Sequence, residues 1–144
     1  MLQGKAPALC LDPFTTAFVE CGLAVCSIDE DGSRPLRSKY TRLDIDIVSL
    51  AQMCEECLEF QRRWSYLYIL PFHYLGGVMD LEINGGSQRG AESLAGSDFW
   101  LTRAGAGAGF WDGDWEHGEA LSAACKDFGT PDLYVGDDGR IHYM

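Results

Sequence analysis

The chain has 144 residues, and 22 acidic against 11 basic side chains give it a formal net charge of −11. This charge repels phosphate backbones and anionic lipid and attracts basic surfaces, which argues against direct nucleic-acid binding, although acidity can also serve only to keep a small protein in solution. Hydrophobic residues at 47% and charged residues at 23% are ordinary values for a folded chain and exclude disorder as its dominant state. We therefore predict a single domain over residues 1–144.

The beginning of the chain carries no signal for export. Residues 1–11 include a lysine, a glycine and a proline instead of a continuous apolar stretch, so we predict that the protein stays in the cytoplasm. The apolar run at residues 66–79 is interrupted by Pro71 and two glycines, and it is shorter than the ~20 apolar residues of a membrane-spanning helix. A reducing compartment would keep the six cysteines as free thiols.

The helical part of the domain, residues 12–64, contains two predicted helices. Asp12 followed by Pro13 is typical of a helix start, because the carboxylate caps the first turn and proline fits the first helical position. An apolar stripe at helical spacing follows: Phe14, Phe18, Cys21 and Val25. Asp44 is predicted to cap the second helix, which extends to Trp64 and turns three glutamates away from its apolar stripe: Glu55, Glu56 and Glu59.

The variable segment, residues 65–97, carries weaker signals. Residues 78–83 alternate apolar and polar side chains, a pattern that predicts a β-strand. Residues 84–97 are rich in glycine, serine and alanine. We predict a mobile loop there, because these residues offer little to bury and permit many backbone conformations.

The last unit, residues 98–143, is predicted to form a β-hairpin, a helix and a second β-hairpin. Residues 98–103 and 109–112 are the predicted strands of the first hairpin, because aromatic side chains can pair across them and a glycine-rich stretch lies between them. The predicted third helix covers residues 116–128. An Asp-Asp-Gly turn then joins two short strands that contain Leu133, Val135, Ile141 and Tyr143.

The fold class that follows is α+β, with an antiparallel sheet of two C-terminal hairpins packed against two to three helices. No stretch of the chain repeats another, which argues against a repeat architecture. We expect most of the C-terminal core to come from Phe99, Leu101, Phe110, Leu121, Cys125, Phe128, Leu133, Val135 and Ile141.

Two groups of residues have the composition of metal sites. Cys54 and Cys57 have Cys-x-x-Cys spacing, but both fall on the apolar stripe of the second helix and lack two further ligands, which favours core packing. Alternate carboxylates followed by a histidine are similar to the start of a calcium-binding loop: Asp112, Asp114, Glu116 and His117. The glycine and the final glutamate of such a loop are missing, which favours residues at a helix N-terminus that complement the helix dipole. We predict no metal and no other cofactor.

The sequence pattern does not predict catalysis. The three histidines, His73, His117 and His142, are scattered, and no serine or cysteine lies in a recognisable nucleophile motif. The glycines of residues 105–109 lack the lysine and the hydroxyl side chain of a phosphate-binding loop. We predict no catalytic residues, and one of the four tryptophans is a candidate interface anchor.

Three motifs carry a resemblance to other proteins: DFWLTR at residues 98–103, GAGFWD at 107–112 and LYVGDDG at 133–139. In these motifs the chain resembles a family of small bacteriophage and mobile-element proteins; the first two helices fit more loosely, and residues 65–95 are not covered. The family pattern has Asn, His and Arg at three positions where this chain has Ala104, Ala106 and Gly113. These differences imply that an activity based on those side chains is absent here.

The resemblance implies a product made in an infected or lysogenic bacterium, where small acidic accessory proteins block host nucleic-acid enzymes, including CRISPR effectors. Together with the net charge, it predicts a non-enzymatic, anti-CRISPR-like inhibitor that binds a basic host protein, such as a CRISPR effector or a restriction-type enzyme, for example by nucleic-acid mimicry. The candidate partner-binding residues are Glu55, Glu56, Glu59, Asp112, Asp114, Trp115 and Glu116. The alternative is a small enzyme or metal-binding protein of phage metabolism that acts through residues 112–117.

Overall fold

The structure is a computed structural model that describes residues 11–29, 31–68 and 73–144. The predictions for the start of the chain, for Cys10 and for the middle of the apolar run at residues 66–79 lie outside the described residues. Among the helices that the structure describes, none is both long and apolar enough to cross a membrane.

Helix α1 (Pro13–Val25) begins where the sequence predicts, and helix α2 (Ile47–Trp64) begins slightly later. The Asp12 carboxylate accepts a hydrogen bond from the Thr15 backbone N–H at 2.7 Å, which caps α1. The prediction that Asp44 caps α2 is wrong. Asp44 ends a 3₁₀ turn (Arg42–Asp44) and accepts from the Thr41 N–H at 2.8 Å, whereas Asp46 accepts from the first N–H groups of α2.

The predicted strand at residues 78–83 and the predicted loop at 84–97 are both wrong, because both stretches are largely helical. Helix α3 (Val78–Ile83) is short and buries only Leu81, so its alternating pattern does not reflect a half-buried strand. Helix α4 (Ser87–Ala104) includes most of the predicted loop and all of the first predicted strand. Four of its buried side chains recur every fourth residue, which is a helical period: Ala91, Ala95, Phe99 and Arg103. Trp100 is buried beside them.

Glycines let α4 approach its neighbours closely. A β-carbon on Gly90 would lie 2.2 Å from the carbonyl oxygen of Leu81 in α3, and one on Gly96 would lie 2.1 Å from that of Phe14 in α1. Because both distances are far below van der Waals contact, the backbones can pack this closely only where side chains are absent. The glycines that suggest flexibility in the sequence are thus packing residues in the fold.

The C-terminal unit contains one hairpin rather than two. Residues 109–112 form a tight 3₁₀ turn (Phe110–Asp112) instead of a strand, so the first predicted hairpin is absent from the described part of the chain. The third predicted helix is present as α5 (Gly118–Cys125), extended by a 3₁₀ turn. The closing hairpin is confirmed: β1 (Leu133–Val135) pairs antiparallel with β2 (Ile141–Tyr143).

The two-stranded sheet packs against the helices, which confirms the α+β class. The hairpin is tied to the start of α2, because the Asp46 N–H donates to the Ile141 carbonyl at 2.8 Å and the Tyr143 N–H donates to the Ser49 hydroxyl at 2.9 Å. Aromatic rings contribute much of the core. The rings of Phe60 and Phe99 are stacked, with their centroids 4.3 Å apart. All nine predicted C-terminal core residues are buried or pack against this core.

Candidate functional site

A short β-bridge joins two segments that lie far apart in the chain. Tyr74 pairs antiparallel with Trp115. The Leu75 N–H donates to the Asp114 carbonyl at 2.6 Å, and the Glu116 N–H donates to the His73 carbonyl at 2.8 Å. These backbone bonds fix His73 beside Glu116 and the start of α5.

Three side chains meet at this bridge, and we call them the His–Glu cluster: His73, Glu116 and His117. His73 Nδ1 lies 2.5 Å from Glu116 Oε1, and His117 Nε2 lies 3.5 Å from the same oxygen. One potential ligand atom from each residue lies within 4.8 Å of the others. The hydrogen bond from His73 is the main cause of a lowered pKa at Glu116, which keeps this carboxylate ionised.

Trp115 is buried beneath the cluster, and this placement contradicts its predicted role at the surface. Its side chain is 4% exposed, and its ring packs 4.9 Å from the ring of Tyr74. The indole N–H donates to Asp98 at 2.7 Å. Burial, followed by the charges of Asp112 and Asp114, raises the pKa of Asp98 to about 7, although the indole hydrogen bond opposes this shift. Trp115 therefore supports the site from inside the protein.

The carboxylates around the bridge form what we call the acidic face: Asp80, Asp112, Asp114 and Glu116. Burial, then the charge of Asp112 and a hydrogen bond with it, then the charge of Asp80 raise the pKa of Asp114. The Tyr74 hydroxyl donates to Asp80 at 2.9 Å, which ties α3 to this group. Within residues 11–29, 31–68 and 73–144, no lysine or arginine forms an ion pair with the three aspartates.

Large apolar side chains lie exposed next to the acidic face. They belong to α3 and the residues before it, and to the 3₁₀ turn at Phe110–Asp112. Val78 and Met79 are each 71% exposed and Ile83 is 74% exposed. The full set is Leu75, Val78, Met79, Ile83 and Trp111. Exposed apolar groups beside charged ones are typical of protein-binding surfaces.

The three predicted glutamates of α2 do not join the acidic face as free charges. Glu56 pairs with Arg103 at 3.0 Å and accepts a hydrogen bond from the Tyr143 hydroxyl at 2.5 Å. Glu59 pairs with Arg62 and Arg63. Of these three glutamates, only Glu55 is exposed and has no ion pair with a described residue. The predicted partner-binding set is therefore divided between an internally paired group and an unpaired one.

The Cys-x-x-Cys residues have the environment of core cysteines. Cys57 is fully buried and Cys54 is partly buried. Burial raises the pKa of both thiols, so neither is prepared to act as a thiolate. The geometry supports the core interpretation of this motif.

Sequence reasoning singles out residues 112–117 but does not connect them with His73. Residues 112–117 are adjacent in the chain, whereas 43 positions separate His73 from Glu116, and only the β-bridge brings them together. No local pattern could have paired them. Comparisons with protein-family models, with curated proteins and with solved structures find no match.

Proposed function

We propose that this chain is a non-enzymatic binding protein whose acidic face docks on a basic protein surface. The carrying observation is that Asp80, Asp112 and Asp114 lie close enough to influence one another and have no lysine or arginine partner in the described part of the chain. Like charges that gather without a counter-charge reduce the stability of the fold. A basic partner would supply the missing positive charge.

The apolar side chains beside the face give the interaction a second component. Val78, Met79 and Ile83 project from a helix that buries only Leu81. A surface of this kind gains affinity from the removal of apolar groups from water, while the carboxylates accelerate association and select basic partners. The combination of charged and apolar side chains fits a protein partner.

The partner class that we propose is a nucleic-acid-handling complex of a host bacterium, of the CRISPR or restriction type, met in the cytoplasm. The phage-like motifs and the net charge of −11 support it, because a groove that binds nucleic acid is basic and a carboxylate-rich surface can occupy it. In this proposal the protein blocks the complex and performs no chemistry of its own.

Affinity capture from bacterial lysate with a paired set of variants tests this function. The double variant D112N/D114N removes two charges from the acidic face. The control E20Q/D137N removes two charges from exposed positions outside it. We expect wild type and control to retain the same basic nucleic-acid-binding protein at low salt, and D112N/D114N to lose it. Raising the salt past physiological strength, where the Debye length is about 8 Å, should release the partner.

A captured partner is then assayed for its nuclease or nucleic-acid-binding activity with and without the protein. Inhibition by wild type and by the control, but not by D112N/D114N, supports the proposed function. Equal capture by both double variants, or capture that resists salt, would place the interaction elsewhere on the molecule.

A further inference from the structure

We propose that the His–Glu cluster is a binding site for a divalent transition metal of the zinc class. This inference stands on the geometry of three residues and does not depend on the protein partner. His73 Nδ1, Glu116 Oε1 and His117 Nε2 would be the ligands, and their donor atoms already lie within 4.8 Å of one another.

The distances suit a metal with short bonds. Zinc binds imidazole nitrogen and carboxylate oxygen at about 2.0–2.2 Å, so neighbouring donor atoms of a tetrahedral site lie ~3.4 Å apart. The 3.5 Å between His117 Nε2 and Glu116 Oε1 matches this separation. The 2.5 Å between His73 Nδ1 and the same oxygen is a hydrogen bond. A metal would replace the shared proton and move these two atoms apart by about 1 Å.

The donor set selects the metal. Two imidazoles with one carboxylate favour zinc and its first-row neighbours, whereas calcium and magnesium prefer oxygen ligands alone. Three protein ligands leave a further coordination position for water or for a group from another molecule.

The fold holds the ligands in place before any ion arrives. His73 and Glu116 are joined through the backbone as well as through their side chains, because the Glu116 N–H donates to the His73 carbonyl. His117 accepts the Leu121 N–H on its carbonyl at 3.0 Å, which anchors it to the first turn of α5. Preorganised ligands lose less conformational entropy when a metal binds.

The surrounding charge also favours a cation. Asp114 precedes Glu116 by two residues, and Asp112 and Asp98 lie close enough for their charges to act on one another. A doubly charged ion at the cluster reduces this repulsion. The several carboxylates around the His–Glu cluster distinguish it from His142. That histidine pairs with a single carboxylate, Asp138, in the closing hairpin.

Isothermal titration calorimetry with zinc chloride at about pH 7.5 tests the site. We expect wild type to bind one zinc ion per chain, and H73A and H117A each to bind at least ~10-fold more weakly. H142A is the matched control, since it removes the remaining histidine of the chain and should bind like wild type. Because His117 is 38% exposed, its substitution should leave the circular-dichroism spectrum unchanged.

Two further measurements exclude other ligands. The double variant C54S/C57S should bind zinc like wild type, and the cobalt-substituted protein should lack the thiolate-to-cobalt absorption of a cysteine site. Excess magnesium should not displace zinc. The proposal is overturned by the absence of saturable zinc binding, by unchanged binding in both H73A and H117A, by loss of binding in C54S/C57S, or by displacement with magnesium.

Discussion

Two regions of the molecule treat carboxylates in opposite ways. Around Arg103, a guanidinium that is almost completely buried pairs with Glu56, donates to the carbonyls of Phe128 and Gly129, and lies 4.8 Å from the centre of the Phe99 ring. Around Trp115, aspartates gather without any arginine or lysine partner among the described residues. The first region balances its charge internally, and the second has no basic counter-charge in the described part of the chain.

Whether a carboxylate has a basic partner separates structural carboxylates from candidate binding carboxylates better than the number of acidic residues does. Glu56 and Asp112 look equivalent in the sequence, since both belong to short acidic stretches. In the fold, Glu56 is committed to an internal network, whereas Asp112 contributes to an unneutralised group. Unmatched charge near a cluster of potential ligands is the reason why we propose this region as the one that meets a partner or an ion.

The largest effect on stability should come from removing Arg103, which balances the charge of Glu56. Arg103→Ala removes the cation from Glu56 and leaves two backbone carbonyls without their donor, so we expect the free energy of unfolding to fall by about 3–5 kcal/mol in urea denaturation. Arg89→Ala is the matched control, because Arg89 lies exposed on the same helix and should change stability by no more than ~0.5 kcal/mol. Equal losses in the two variants would show that Arg103 has no special role.

An intermediate effect on stability, with a magnitude that grows with pH, should come from Asp98. Its pKa is raised from 3.8 to about 7, so between these values the folded protein holds a proton that the unfolded chain has lost, and stability falls as the pH rises through this window. Asp98→Asn removes the charge while its amide oxygen can still accept from Trp115.

We expect D98N to be more stable than wild type by about 1–3 kcal/mol near pH 8 and nearly equal to it near pH 4. Denaturant unfolding across this range measures the difference. The control D137N changes an exposed aspartate of the closing turn and should not alter the pH profile. A wild-type stability that rises from pH 4 to pH 8 by more than that of D98N would contradict this assignment.

The smallest effect should come from the acidic face itself. D112N/D114N removes like-charge repulsion at partly exposed positions, so we expect a gain of a few tenths of a kcal/mol at low salt that disappears as salt screens the wild-type charges. Melting temperatures measured over a series of sodium chloride concentrations give this difference. If D112N/D114N melts well below wild type at every salt concentration, the two aspartates stabilise the fold instead of weakening it.

Local sequence patterns predict those helices and strands whose ends are determined by residues adjacent in the chain. Asp12 and Pro13 determine the start of α1 within one turn, and the Asp-Asp-Gly turn sets the closing hairpin by itself. The sequence does not predict helix α4, because Gly90 and Gly96 favour a loop and the aromatic pair Phe99 and Trp100 favours a strand. The period of four from Ala91 to Arg103 was the signal that could have revealed it.

The site could be predicted only in part for a related reason. The carboxylates of residues 112–116 are contiguous, so composition alone draws attention to them. Their meaning depends on which charges the fold pairs, and the ion pair between Glu56 and Arg103 spans two helices. The partnership of His73 with Glu116 likewise depends on a bridge between distant segments, which a single sequence does not encode in any local pattern.

The glycines of α4 also impose an order on folding. A helix in a protein gains most of its stability from packing against its neighbours, and each interior glycine costs α4 about 1 kcal/mol of helix stability. Residues 87–104 should therefore gain helical structure only as they dock against α1 and α3. Because α1 leaves the ribosome before α4, the part of its apolar stripe that packs on α4 stays exposed to water until more than sixty further residues have been synthesised. The nascent chain is consequently most prone to aggregation before α4 emerges, and least prone after it has docked.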